Sequence, residues 1–128
     1  MKNLNKKKGF TIVELVIVIA VIAILAAVLI PTFSNVANKA KDSAAVQNAR
    51  NAYMALLEAS EEGDVADDIV FFDEDNDRYV AVKDGQLDTT KVSTAEDAEA
   101  AIEEFFGAGK AYTEATINGV TYYIVTAA

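Results

Sequence analysis

Residues 6–31 read KKKGFTIVELVIVIAVIAILAAVLIP, and they contain the most informative junction of this chain. Every residue from 15 to 30 is apolar, and one acid, Glu14, stands immediately before that run. The whole apolar segment, residues 10–33, would span roughly 36 Å as an α-helix, against a hydrocarbon core of about 30 Å. A chain of 128 residues cannot bury such a helix in its own core. The segment therefore needs lipid or other copies of itself.

The charges are distributed unevenly about this segment. The basic residues before Gly9 are Lys2, Lys6, Lys7 and Lys8. They are four of the eleven in the chain, which leaves seven to set against twenty acidic residues. Because Lys39 and Lys41 alone follow the segment closely, the lysine excess places the N-terminus in the cytoplasm. The acidic remainder disfavours direct nucleic-acid binding, which uses Lys and Arg to contact phosphates.

The missing residue types restrict the chemistry. The chain has no Cys, no His and no Trp. A disulfide, a cysteine zinc site and a thiol nucleophile are therefore excluded, and the commonest general base is absent. No Gly-rich phosphate loop or nucleophile motif is present, so we expect neither an enzyme nor a cofactor.

Pro31 allows two interpretations: the helix ends there, or it kinks and continues. Residues 36–62 contain no Gly or Pro and are rich in Ala, which favours continuation. Apolar or small side chains recur there at helical spacing, at Val46, Ala49, Tyr53, Leu56 or Leu57, and Ser60. We therefore predict one helix over 10–62, about 80 Å long, that stops at Gly63.

The pattern after Gly63 predicts an α+β body in which a small antiparallel sheet packs on the amphipathic half of the helix. The predicted strands are residues 69–72, 79–82, 114–117 and 120–125. Asn118-Gly119 favours a tight primed turn in the last hairpin. Ser93-Thr-Ala-Glu96 matches a capping box and predicts a short helix that Gly107 closes.

Two simple explanations for the N-terminal segment, a signal peptide and a plain anchor, each leave a feature of it unexplained. A secretory signal peptide would have a shorter apolar core and a small-residue cleavage site. A plain single-pass anchor has this length but gives Glu14 no purpose, although ionisable groups in membrane segments usually have a partner. That partner is either the lysine-rich leader or, if the leader is removed at Gly9, the new amine of Phe10 on a neighbouring helix.

Residues 8–15, Lys-Gly-Phe-Thr-Ile-Val-Glu-Leu, resemble the processing motif of type IV prepilins. The basic leader, Gly9, Phe10, Glu14 and Pro31 all match that family's pattern. The resemblance implies a leader over 1–9, a transmembrane and filament-core helix over 10–33, and a globular pilin domain over 34–128. Within that domain, 34–62 would be the amphipathic half of the helix and 63–128 the loop, sheet and short helix.

The resemblance also implies a life cycle. A prepilin peptidase would cleave between Gly9 and Phe10 and methylate the Phe10 amine. Subunits would wait in the cytoplasmic membrane until an assembly platform and its ATPase extracted them into a helical homo-oligomeric filament on the cell surface. Glu14 would pair with the Phe10 amine of another subunit, and Pro31 would mark a helix kink. The disulfide-free, acidic body is similar to that of Gram-positive pilins such as those of clostridia. In place of a C-terminal disulfide, the Asn118-Gly119 hairpin would hold the C-terminus.

Other clusters have simpler explanations than a site. Asp73, Asp75 and Asp77 match the start of a calcium loop, but Arg78 replaces its Gly and a solvated hairpin turn is the simpler reading. The short helix carries Glu96, Asp97, Glu99, Glu103 and Glu104, which we expect to face solvent while Ala98, Ala101, Ile102 and Phe105 are buried. The strand tyrosines Tyr112, Tyr122 and Tyr123 are expected to pack the sheet.

The sequence thus predicts a structural subunit of a type IV pilus. The alternatives are a minor pilin or pseudopilin of a type II secretion or competence system, and a single-pass membrane protein with an acidic ligand-binding ectodomain. The filament's use in motility, adhesion or DNA uptake is open at this point.

Overall fold

A computed structural model of the chain describes residues 9–60 and 65–126. Two helices and five strands follow in this order: α1 Ile12–Ala59, β1 Ile69–Asp73, β2 Arg78–Lys83, β3 Gln86–Ser93, α2 Ala98–Phe106, β4 Ala111–Ile117 and β5 Val120–Thr126. The predicted α+β class, with a long N-terminal helix and an antiparallel sheet, is confirmed. The chain forms two compact units, Met1–Asn38 and Lys39–Ala128.

Helix α1 passes through Pro31 without interruption, so continuation was the correct interpretation. The predicted end at residue 62 is wrong, because the helix ends at Ala59. There the amide and the hydroxyl of Ser60 both donate to the Leu56 carbonyl, at 3.1 and 2.9 Å. Ser side chains compete with the backbone in this way and favour helix ends. The predicted stop at Gly63 lies outside the described residues.

The second unit contains a five-stranded antiparallel sheet in the order β3-β2-β1-β5-β4. The predicted hairpin at Asn118-Gly119 is confirmed: it joins β4 to β5, and both turn residues have positive φ, +51° and +82°. This is the backbone of a primed turn, which matches the twist of its strands. Strand β5 pairs with both β1 and β4, so the last strand lies inside the sheet.

A helix covers each face of the sheet. The outer part of α1 packs on one face, where its buried alanines (Ala45, Ala49, Ala52) meet Ile69, Phe71, Val80, Val82 and Tyr122. Helix α2 covers the other face with Ala101, Ile102 and Phe105 against Val70, Tyr79, Ala81, Tyr123 and Val125. Alanines on α1 let the helix approach the sheet closely, and large side chains from the strands fill the layer.

The structure differs from the sequence prediction at two places in the middle of the body. Strand β3 was not predicted, because most of its side chains are exposed or half-buried and lack an apolar alternation. The capping box at Ser93–Glu96 is also absent: Ser93 pairs with Tyr79 in the sheet, and its hydroxyl accepts from the Ala95 amide at 3.1 Å. Asp97 caps α2 instead, accepting from the Ala100 amide at 2.8 Å. The predicted end at Gly107 is confirmed.

Candidate processing and assembly site

The predicted cleavage junction lies in open, non-helical backbone. Gly9 has φ +71°, a conformation that glycine adopts without the strain a side chain would bring, and no atom lies within 4 Å of the place where a Cβ would stand. The Phe10 side chain is 81% exposed. The Gly9–Phe10 peptide bond therefore precedes the helix and is accessible in the described part of the chain.

Glu14 occupies the first turn of α1. Thr11 caps this turn: its hydroxyl accepts from the Glu14 amide and its carbonyl from the Leu15 amide, both at 3.1 Å. A carboxylate in this position is stabilised by the positive end of the helix dipole. The Glu14 side chain is exposed, and none of residues 9–60 or 65–126 forms an ion pair with it. The carboxylate is thus exposed at the start of the apolar helix.

The helix beyond Glu14 presents apolar side chains on every side. Its most apolar window has no buried residue, and α1 is long and apolar enough to cross a membrane. Fully burying one such side chain is worth about 1.5–3 kcal/mol, so exposure of the whole segment to water would be strongly unfavourable. This surface requires lipid or neighbouring helices.

Pro31 lies within this apolar helix and cannot donate to the carbonyl one turn before it. The next residue, Thr32, turns its hydroxyl back to the Val28 carbonyl at 3.1 Å. A Thr that bonds back in this way satisfies its hydroxyl in apolar surroundings. The predicted helix kink at Pro31 stays a prediction.

A family model describing a prokaryotic N-terminal methylation motif matches residues 4–30. That range contains Gly9, Phe10 and Glu14 together with most of the apolar helix. Over this range the chain is similar to the N-terminus of type IV pilin-like prepilins. No curated protein and no solved structure matches the chain. The roles expected of Gly9, Phe10 and Glu14 therefore rest on the motif and on the geometry given above.

The acidic turn between β1 and β2 is organised by Asp73. Its carboxylate accepts from the amide and the side chain of Asn76, at 3.3 and 2.7 Å, and from the Asn48 side chain at 2.8 Å. Asp77 closes the turn with φ +54°. Within the described ranges, no group of three or more His, Cys, Asp or Glu residues could hold a metal ion. Asp73 thus stabilises a hairpin turn and links it to α1.

An ion pair between buried Arg78 and half-exposed Asp42 in the same region was missed by sequence reasoning. Arg78 Nε lies 2.8 Å from Asp42 Oδ1, and the Arg78 side chain is only 10% exposed. Its guanidinium also donates to the carbonyls of Asn76 and Asp77, at 3.1 and 3.0 Å. A single basic residue closing a run of acids was the available signal. The pair connects the turn to α1 across 36 residues of sequence.

The remaining candidates pack as predicted. The carboxylates on and before α2 are exposed; of the four residues predicted to be buried, Ala101, Ile102 and Phe105 are buried and Ala98 is half-buried. Tyr122 and Tyr123 are buried in the sheet, and the Tyr112 ring meets Tyr123 edge-on at 5.7 Å. Burial raises the pKa of Tyr79 to about 12, with Tyr123, Asp97 and Asp77 adding to the effect. Burial likewise raises the pKa of Tyr123, with Glu114 adding to it.

Proposed function

We propose that the chain is the precursor of a structural subunit of a type IV pilus. The observation that carries the proposal is the methylation motif at residues 4–30, whose junction lies in open backbone at the start of an unburied apolar helix. The subunit works by polymerisation rather than catalysis. It passes from the cytoplasmic membrane to a filament on the cell surface.

The proposed sequence of events begins with a prepilin peptidase. Cleavage after Gly9 releases the lysine-rich leader and creates an amine on Phe10, which the same enzyme methylates. The amine then stands about one helical turn from Glu14. An assembly platform moves the subunit from lipid to the filament core, where Glu14 of one subunit pairs with the Phe10 amine of another. Leaving either charge unpaired in that core would cost several kcal/mol.

Mass spectrometry of protein sheared from the cell surface tests the processing step. We expect a chain that begins at N-methylated Phe10. Gly9→Val should block cleavage, because a β-branched residue is strained at the positive φ of this position. An intact Met1 start in the surface protein, or cleavage beyond Ile30, would disprove the proposal and favour a single-pass membrane protein or a secreted one.

Replacing Glu14 tests the assembly step. We expect Glu14→Ala to be cleaved and retained in the membrane but absent from sheared filaments, since the Phe10 amine then has no carboxylate partner. Glu58→Ala removes an exposed acid from the other end of the same helix and is the matched control. If Glu14→Ala filaments form in normal amount, the pairing is wrong.

Abundance separates the main subunit from a minor pilin or pseudopilin, which would share the N-terminal chemistry. A main subunit should dominate the sheared fraction, because it builds the shaft. A trace component in filaments built of another protein would assign the chain to the minor class. Motility, adhesion or DNA uptake would then be tested with a deletion strain.

A further inference from the structure

A groove of about 370 Å³ opens at one end of the sheet in the second unit. The turn from β1 to β2 and the turn from β4 to β5 both border it, because β1 and β5 are neighbours and Phe72 pairs with Thr121. The outer part of α1 forms the third side. The volume lies in the range of small binding sites.

The groove combines an apolar floor with an acidic rim. The half-buried side chains of Phe72 and Val120 supply the apolar floor, and the short alanine side chains on the α1 side leave space. Glu74 and Asp75 belong to the rim, and no Lys or Arg lines the groove. Both rim acids are exposed and have no ion pair within residues 9–60 and 65–126. This arrangement suits a lysine, whose alkyl stem lies on apolar surface while its ammonium meets carboxylates.

Lys110 lies at the opposite end of the same sheet. It stands just before β4, whereas the groove borders the turn after β4. The strand Ala111–Ile117 separates the two by roughly 20 Å at about 3.3 Å per residue. A lysine side chain cannot cover that distance, so this lysine cannot fill its own groove.

The loop that carries Lys110 is narrow and open. Residues 107–110 read GAGK and are all exposed. Gly107 and Gly109 have positive φ, and no atom lies within 4 Å of the place where either would carry a Cβ. Residues 107–109 therefore place no bulky side chain next to Lys110. No residue of the described ranges forms an ion pair with Lys110.

We propose that the groove receives Lys110 and the 107–110 loop from a second copy of this chain. Because the 107–110 loop and the groove lie at opposite ends of one sheet, the contact is heterologous. In a pair of subunits, one subunit keeps an unoccupied groove and the other an unused loop. Contacts of this kind propagate into open helical assemblies when the rotation does not close. The inference rests on the proposed filament function and adds a contact between globular bodies to the contact between apolar helices.

Cysteine cross-linking tests the contact, because the chain has no cysteines of its own. A chain with both Glu74→Cys and Lys110→Cys should form, when intact filaments are treated with a bismaleimide cross-linker, a ladder of covalently linked dimers, trimers and longer species. A linker is used because a lysine stem that meets a glutamate keeps the two Cα atoms farther apart than the roughly 7 Å that a direct disulfide allows. Glu99→Cys with Lys110→Cys is the matched control, since Glu99 is an exposed acid on α2, outside the groove, and should give no ladder.

Charge exchange gives an independent measurement. Glu74→Lys alone and Lys110→Glu alone should each lower the filament yield by about tenfold, because like charges then meet at the contact. The two changes together should restore it. The groove contact is wrong if the unaltered chain forms filaments but the double-cysteine variant gives no ladder and the double charge exchange restores no yield. The pilus proposal would then remain intact. A ladder that forms with Lys41→Cys in place of Lys110→Cys would show that Lys110 is not the lysine in the groove. Absence of the chain from filaments would reject the pilus proposal itself.

Discussion

Arg78 shows how one residue changes meaning between sequence and structure. In the sequence it interrupts an acidic run where a calcium loop would need Gly. In the structure it is buried, pairs with Asp42 and donates to two carbonyls of the turn. A group of this kind stabilises the fold only while its partners stay in place.

Asp42→Ala should therefore lower the free energy of unfolding by about 1 kcal/mol, because the Asp42 side chain is 46% exposed and Arg78 keeps its hydrogen bonds to two carbonyls of the turn. Urea denaturation of the chain in detergent measures this. Glu103→Ala removes an exposed acid from α2 and should change the stability little. Equal effects of the two changes would contradict the importance of the pair.

The buried phenol of Tyr79 makes the stability of the folded body depend on pH in the alkaline range. Burial raises its pKa from 10.0 to about 12, so the folded state holds the phenol proton more tightly than the unfolded chain does. The resulting stability is fully present below pH 10 and is lost as the pH rises towards 12.

Tyr79→Phe keeps a ring that can stack on Phe72, whose centroid is 4.5 Å away, but removes the titrating group. We expect the variant to lose less stability than the unaltered chain between pH 9.5 and about 12. Thermal unfolding at a series of pH values measures the difference. Tyr112→Phe, which removes an exposed phenol, is the control, and parallel pH profiles for all three proteins would refute the prediction.

At the scale of the element, the start of α2 depended on a competition between caps. Sequence pattern favoured Ser93, but the pairing of Ser93 with Tyr79 keeps it in β3. Asp97 lies just before the buried face of α2 and accepts from the Ala100 amide. Tertiary packing thus chose the cap that was compatible with both the sheet and the helix.

Asp97→Ala should cost about 1 kcal/mol of stability, the typical value for a lost helix cap. Glu96→Ala is the matched control, because a capping box would make Glu96 essential and the observed cap does not. Circular dichroism during urea unfolding measures both variants. A larger effect at Glu96 than at Asp97 would restore the capping box.

At the scale of the whole molecule, the unburied apolar segment and the packed body make different demands. Both clusters of core residues lie within the second unit, and the apolar segment over residues 10–33 supplies none of them. The body therefore has a core of its own, whereas the segment needs lipid or other subunits.

A chain that lacks residues 1–33 should stay in the soluble fraction and unfold cooperatively, while the full chain should remain with membranes after carbonate extraction. Fractionation and thermal circular dichroism measure the two properties. The variant Ile22→Lys should weaken membrane retention of the full chain, because a charge near the centre of an apolar helix costs about 3 kcal/mol. A shortened chain that aggregates without a melting transition would show that the body needs the segment to fold.

The sequence by itself determined the features that depend on local chemistry. A few adjacent residues or a long periodic run specify the methylation motif over residues 4–30, the acid at Glu14, the helix running past Pro31 and the Asn118-Gly119 turn. Only the tertiary structure decided that β3 forms, that Asp97 rather than Ser93 caps α2, and that Asp42 pairs with Arg78. It also decided that the acidic turn between β1 and β2 and the Asn118-Gly119 turn between β4 and β5 border one groove. Strand pairing, burial and approach between residues distant in the chain set these features, and no local pattern records them.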